Sequence, residues 1–148
     1  MTTTARTIVA FTVPGKAITE GNVAWGNGHS YHREGKALDD WRYAIQVACR
    51  EHFQGPVWTG PVELCLYFVY KARRKADEDQ WRTTRPDADK LARAVLDALT
   101  GILYKDDAQV AHLNIYKDYG NWWPKSEGGA DEAYLNVNAR VLSETDHP

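Results

Sequence analysis

No apolar run in this chain approaches the roughly 20 residues that a membrane-spanning helix requires, so the sequence carries no span of that kind. The opening stretch, MTTTARTIVAFTVPG, has one basic residue and too short an apolar run for a signal peptide. The expected location is therefore the cytoplasm. Cysteine is scarce: Cys49 and Cys65 alone, with no CxxC spacing to hold zinc, read as small buried hydrophobes. The single methionine is the initiator. There is no internal repeat, low-complexity tract or linker, which excludes a solenoid and leaves one domain over residues 1–148. Excess charge is also missing. A net charge of −2 argues against bulk binding of nucleic acid.

What is present is patterned. Arg6 to Val13 is rich in β-formers and closes at the turn signal Pro14-Gly15. Lys16 to Arg33, rich in glycine and asparagine, reads as a long loop. From about Glu34 to Phe53, Leu38, Trp41, Ile45, Ala48 and Cys49 recur at helical spacing. Val62 to Tyr70 is a near-continuous apolar and aromatic run, as an interior strand requires. A second helix is predicted over Ala88 to Leu99, ended by Gly101. Gln109 to Tyr116 and Glu132 to Leu142 alternate as strands do. The predicted fold is α+β, in the order β-α-β-α-β-β: a mixed sheet of about four strands with two helices on one face.

Local charge is less even than the total. Lys71, Arg73, Arg74, Lys75, Arg82 and Arg85 occupy one loop, interrupted by Asp77, Glu78 and Asp79. That is either an ordinary solvated loop or one that faces phosphates. It leads into RPDADKLARAVLDALTGILYKDDAQV, which gathers five aspartates beside an apolar helix. Taken singly they have ordinary explanations. Asp87 suits a helix N-cap and Asp89 the first-turn dipole. Asp97 can pair with Arg93 four residues earlier. Asp106-Asp107 suits a turn. Taken together, one acidic pair enters the helix and a second leaves the connection after it. Clustered carboxylates without histidine or cysteine suit a hard cation such as Mg²⁺, which offsets their repulsion. The acids do not follow the twelve-residue EF-hand pattern.

The same stretch resembles the RusA family of Holliday-junction resolvases. The resemblance is carried by Asp87-Ala88-Asp89-Lys90-Leu91-Ala92-Arg93, then Asp97-Ala98-Leu99, then Asp106-Asp107-Ala108-Gln109-Val110. It implies an Mg²⁺-dependent endodeoxyribonuclease, with Mn²⁺ as a substitute, acting as a homodimer that cuts four-way junctions symmetrically, one site per subunit. It implies that Asp87, Asp89 and Asp107 are metal-binding catalytic carboxylates, with Asp106 adjacent. The family's lysine falls at Arg93 and its asparagine at Lys90. Either cation would steady negative charge on the phosphate, while Arg73, Arg74, Lys75, Arg82 and Arg85 would contact the DNA backbone.

Two other readings share this scaffold: a non-catalytic branched-DNA-binding or assembly protein, and a metal-dependent nuclease for flaps or forks. The departures at Lys90 and Arg93 motivate the first. Trp122 and Trp123 read either as base-stacking residues or as anchors of a packed loop. His29 and His32 lack a third ligand and are not read as a metal site.

Overall fold

The computed structural model describes residues 7–21, 23–26, 29–32, 35–78, 80–120 and 133–148. Trp122, Trp123 and Asp79 lie outside them. For 23–26 and 29–32 the description covers the backbone, so the histidine reading at His29 and His32 also falls outside it.

Among the described residues, six strands and two principal helices follow in the order β1 (Ile8–Pro14), β2 (Val23–Gly26), β3 (His29–His32), α1 (Gly35–His52), β4 (Val62–Tyr70), α2 (Ala88–Leu99), β5 (Val110–Tyr119) and β6 (Tyr134–Val141). Four strands form the main sheet, ordered β1-β6-β4-β5. β6 pairs antiparallel with both β1 and β4, while β4 and β5 run parallel. The mixed character follows from connectivity. α2 returns the chain after β4 so that β5 starts at the same end, and the connection to β6 then reverses it. The α+β architecture is as the sequence predicts.

One stretch differs. Lys16 to Arg33 is not wholly a loop, because β2 and β3 pair antiparallel within it. The two residues separating them in sequence are Asn27-Gly28, a strong dipeptide signal for a tight hairpin. Overall glycine and asparagine content hides that signal.

β4 is apolar at nearly every position because it has neighbours on both edges and helices over one face. Its inward residues Val62, Leu64, Leu66 and Phe68 are essentially inaccessible. They join Leu135, Val137 and Ala139 of β6, Val9, Phe11 and Val13 of β1, and the buried stripes of both helices in one cluster. The α2 stripe, Leu91, Ala92, Ala94, Val95, Ala98 and Leu99, is fully buried. At roughly 1.5–3 kcal/mol for each large side chain, this stripe fixes the rotation of α2 and hence the direction of its acidic face. Gly101, at φ +84°, turns the chain out of the helix. On the helix-free face, Tyr67 and Tyr116 stack at 4.6 Å, and Trp81 lies over Tyr116.

Candidate metal centre and nucleic-acid interface

Asp87 stands at the N-cap position of α2, but its side chain makes no capping hydrogen bond. The helix start is held another way, by the Asp87 carbonyl accepting from Leu91 N–H at 3.1 Å. Both Asp87 and Asp89 are exposed. A carboxylate at a helix N-terminus that leaves the orphan N–H groups alone is available for another ligand. The approach to Asp87 is braced by Lys117 of β5, whose Nζ donates to the carbonyls of Thr84 at 2.8 Å and Pro86 at 2.6 Å. Burial, and then Arg82, hold the Lys117 ammonium below its usual pKa, while the nearby Asp87 charge acts the other way. Lys117 therefore marks the end of β5 beside which Asp87 sits.

The second acidic pair lies at the opposite end of the same strand, just ahead of Val110. Asp106 caps a short 3₁₀ turn, accepting from Ala108 N–H at 2.9 Å, while the Gln109 side chain accepts from Asp106 N–H at 2.8 Å. Gln109 Nε2 also donates to the carbonyls of Trp58 and Gly60, at 2.8 and 3.0 Å. The glutamine of the sequence motif is thus structural: it ties the acidic turn to the loop ahead of β4. Asp107 is exposed. Partial burial, then Asp106, then Asp97, raise its pKa from the ordinary aspartate value. The two like charges make this a site that a cation would relieve.

The two pairs stand toward opposite ends of α2. α2 is 12 residues long, about 18 Å at 1.5 Å per residue, and the pairs flank it. Among the described residues no group of three or more His, Cys, Asp or Glu is placed to hold a metal ion. Asp107 lies within electrostatic range of Asp97 in the last turns of α2, whereas Asp87 and Asp89 lie at its first turn. The all-oxygen donor chemistry suits a hard cation.

Asp97 does not depend on Arg93 for its partner. Its carboxylate lies 3.6 Å from Arg42 of α1. Arg42 also bonds Glu20, a buried carboxyl on the segment after β1. Burial comes first, and then Asp97, in raising the Glu20 pKa, against the pull of Arg42 and Arg93. This segment lies along the outer face of α2: Glu20 N–H donates to the Lys90 carbonyl at 3.1 Å. Gly21 follows at φ +106°, where an added Cβ would sit 3.4 Å from the Arg93 guanidinium. Lys90 and Arg93 therefore share one neighbourhood, against the 20–21 segment. Glu20 falls in the stretch that the sequence presents as a loop, and nothing in its spacing announces a partner 22 residues away on α1.

The basic loop divides by partner. Arg74 is committed to Asp77 through two hydrogen bonds, at 3.0 and 3.1 Å. Arg82 is held by the Arg85 carbonyl and stacks over the Tyr70 ring at 4.2 Å. Lys75 and Arg85 are exposed. Arg73 and Arg82 line a cleft of about 340 Å³ with Lys71 and Lys16. Four cations from three separate segments make this a basic concavity. Lys16 was not legible as a member, because only the fold brings the turn after β1 to the end of β4.

Three comparisons bear on this geometry. The sequence profile of the endodeoxyribonuclease RusA family matches residues 14–127. An uncharacterized protein of Bacillus subtilis (strain 168), YqaN, is 30% identical over 125 residues, covering 75% of this chain and 87% of that protein. The crossover junction endodeoxyribonuclease rusA of Lactococcus phage r1t is 36% identical over 58 residues, covering 38% of this chain and 44% of the phage protein. No helix among the described residues is long and apolar enough to cross a membrane.

Proposed function

Because the chain belongs to the RusA endodeoxyribonuclease family, we propose that it is a divalent-metal-dependent endodeoxyribonuclease that cuts four-way DNA junctions as a homodimer. The observation that carries the metal site and the dimer is the placement of the two acidic pairs. Asp87, which makes no capping hydrogen bond, and Asp89 stand at one end of α2, and the Asp106–Asp107 turn stands at the other. A two-fold dimer in which α2 and its partner lie antiparallel would bring each chain's Asp87 and Asp89 to the other chain's Asp106 and Asp107. Two composite sites result, related by the same symmetry as the two strands to be cut.

Bound there, Mg²⁺ or Mn²⁺ would polarise the scissile phosphate and lower the pKa of a water. The chain's own residues do the rest. Asp87 and Asp89 hold their side of the site in a fixed direction because the buried α2 stripe sets it. Lys117 fixes the backbone entering Asp87. Asp106 is oriented by its turn, so that Asp107 beside it faces outward. Lys90 and Arg93 supply positive charge one to two turns along α2. Lys16, Lys71, Arg73 and Arg82 bind a phosphate of the duplex arm, a contact without sequence information.

The test is cleavage of a labelled synthetic four-way junction with and without Mg²⁺, by the native protein and by Asp89→Asn. The native protein should cut only with the metal. Asp89→Asn should bind the junction with near-native affinity and fail to cut. Junction binding without cleavage by the native protein in either Mg²⁺ or Mn²⁺ would favour the non-catalytic alternative. Preferential cleavage of flaps or forks would reassign the substrate.

A further inference from the structure

Both helices pack over one face of the main sheet, and strand register decides what the other face carries. There Asn136 of β6, Tyr67 of β4 and Tyr116 of β5 stand side by side in one row. Alternation sends these side chains one way and the buried Leu66 and Phe68 the other. Trp81 extends the row, because its backbone bridges Asp118 on the outer side of β5. The Tyr67 and Tyr116 rings are parallel to within 4°, with centroids 4.6 Å apart, and the Trp81 ring stacks on Tyr116 at 6.2 Å. Tyr67 is nevertheless 36% exposed and Trp81 66%. Isolated exposed aromatics are ordinary, whereas a contiguous row of them marks a binding surface. With Tyr134, Asn136 and Asn138, the three rings line a cavity of about 410 Å³.

Two features say what fits there. Asn136 Oδ1 accepts from Thr12 Oγ1 at 2.6 Å, which leaves Asn136 Nδ2 as a donor to the cavity that it lines. A flat ligand with apolar faces and acceptors at its edge satisfies both the rings and the amide. Charge then divides the surroundings. Asp118 also lines the cavity, and its carboxylate, which accepts from Tyr119 N–H at 2.8 Å, repels a phosphate. The basic cleft begins one residue away at three places. Val69, Trp81 and Tyr134 line the cavity, while Tyr70, Arg82 and Ala133 line the cleft with Lys16, Lys71 and Arg73. From Tyr67 to Tyr70 is about 10 Å at 3.3 Å per residue. We infer that this face binds the unpaired nucleotides of a single DNA strand, with bases stacked on the Tyr67–Tyr116–Trp81 row and phosphates in the basic cleft. Stacking of this kind tolerates any sequence, because every base has a π-face. A duplex keeps its bases stacked within itself and can use the cleft alone. The inference does not depend on metal-dependent cleavage, since neither acidic pair takes part.

The probe is a labelled mixed-sequence single strand of DNA about 12 nucleotides long, within the span of one such surface. Binding is read by fluorescence anisotropy without divalent metal, so that nothing is cut. The native protein should bind this strand about 5- to 150-fold more tightly than an abasic backbone of the same length, the range for one stacked base. Tyr67→Leu should lose that margin and leave binding of the abasic strand and of a duplex unchanged. Its salt slope should stay native, since no phosphate contact is removed. Tyr67→Phe keeps the ring and should keep the affinity. The comparison of normal with abasic strand uses the native protein, so it stands even if Tyr67→Leu does not fold. Equal binding of the two strands overturns the inference, as does native affinity in a folded Tyr67→Leu. A changed oligomeric state in Tyr67→Leu, read by light scattering, with its affinity for the normal strand retained, assigns the face to a second copy and overturns it too. Failure here leaves the junction-cleavage reading standing, and a native protein that cuts no junction leaves this one standing.

Discussion

Heterodimers offer the sharpest test of how the acidic residues are shared. Consider Asp89→Asn in one chain and Asp107→Asn in its partner, co-expressed with two different tags and purified through both. Loss of residues that merely orient metal ligands costs about 10–100-fold in metal affinity or activity, so loss of a ligand itself should exceed about 100-fold in each homodimer. In the heterodimer one composite site carries both substitutions and the other carries neither. One of two sites is intact, so single-strand nicking should return to about half the native rate. Product on a denaturing gel should be nicked junction, with paired cuts almost absent. The reciprocal arrangement sharpens the result. A chain carrying both substitutions, joined to a native chain, damages both composite sites and should be inactive. Sites contained within single chains would give the opposite pattern: no recovery in the first heterodimer and half activity in the second. The expectation follows from acidic pairs placed toward opposite ends of a 12-residue helix, roughly 18 Å long. The opposite pattern would refute it.

Two further outcomes follow from other parts of the structure. Lys16→Ala combined with Arg73→Ala should weaken junction binding and lower the salt slope of log K by about 1 to 2, as loss of one or two phosphate contacts requires, whereas Arg74→Ala, already committed to Asp77, should change the slope little; titrations at several salt concentrations read the difference. Glu63 accepts from Arg140 at 2.8 and 3.2 Å and lies 2.8 Å from His112, joining β4 to β6 and β5. The Arg140 hydrogen bonds chiefly hold its pKa below the reference value of 4.5. For a lowered carboxyl, the stabilisation is present above the unfolded pKa and disappears as pH falls through the folded one. Thermal melting of the native chain should therefore decline below about pH 4.5, and Glu63→Gln should flatten that part of the decline; an unchanged profile would show that the pair contributes nothing measurable.

The elements were largely legible because their signals are local. The α2 stripe repeats at helical spacing, and both ends of the helix agree with the structure, since Gly101 stops it and Asp87 precedes it. β4 was equally plain, because an uninterrupted apolar run has no other comfortable place than between two strands. The β2–β3 hairpin was missed where a two-residue signal sat inside a stretch whose composition reads as loop. The family's acidic positions were also readable, since their order along the chain is itself the motif.

Distance was not readable. Nothing in the linear spacing says where a helix and the strand after it carry their acidic pairs, because that depends on which face of α2 is buried and which way the next strand runs. The same holds for Glu20, which meets Arg42 and Asp97 across three separate segments, and for Lys16, which joins the basic cleft only because the turn after β1 comes to the end of β4. Sequence by itself determined the residue types and the secondary structure that carries them, through periodicity and turn chemistry acting over a few residues. Tertiary structure decided which charges are neighbours, because electrostatic contact depends on separation in space and the chain's packing sets that separation.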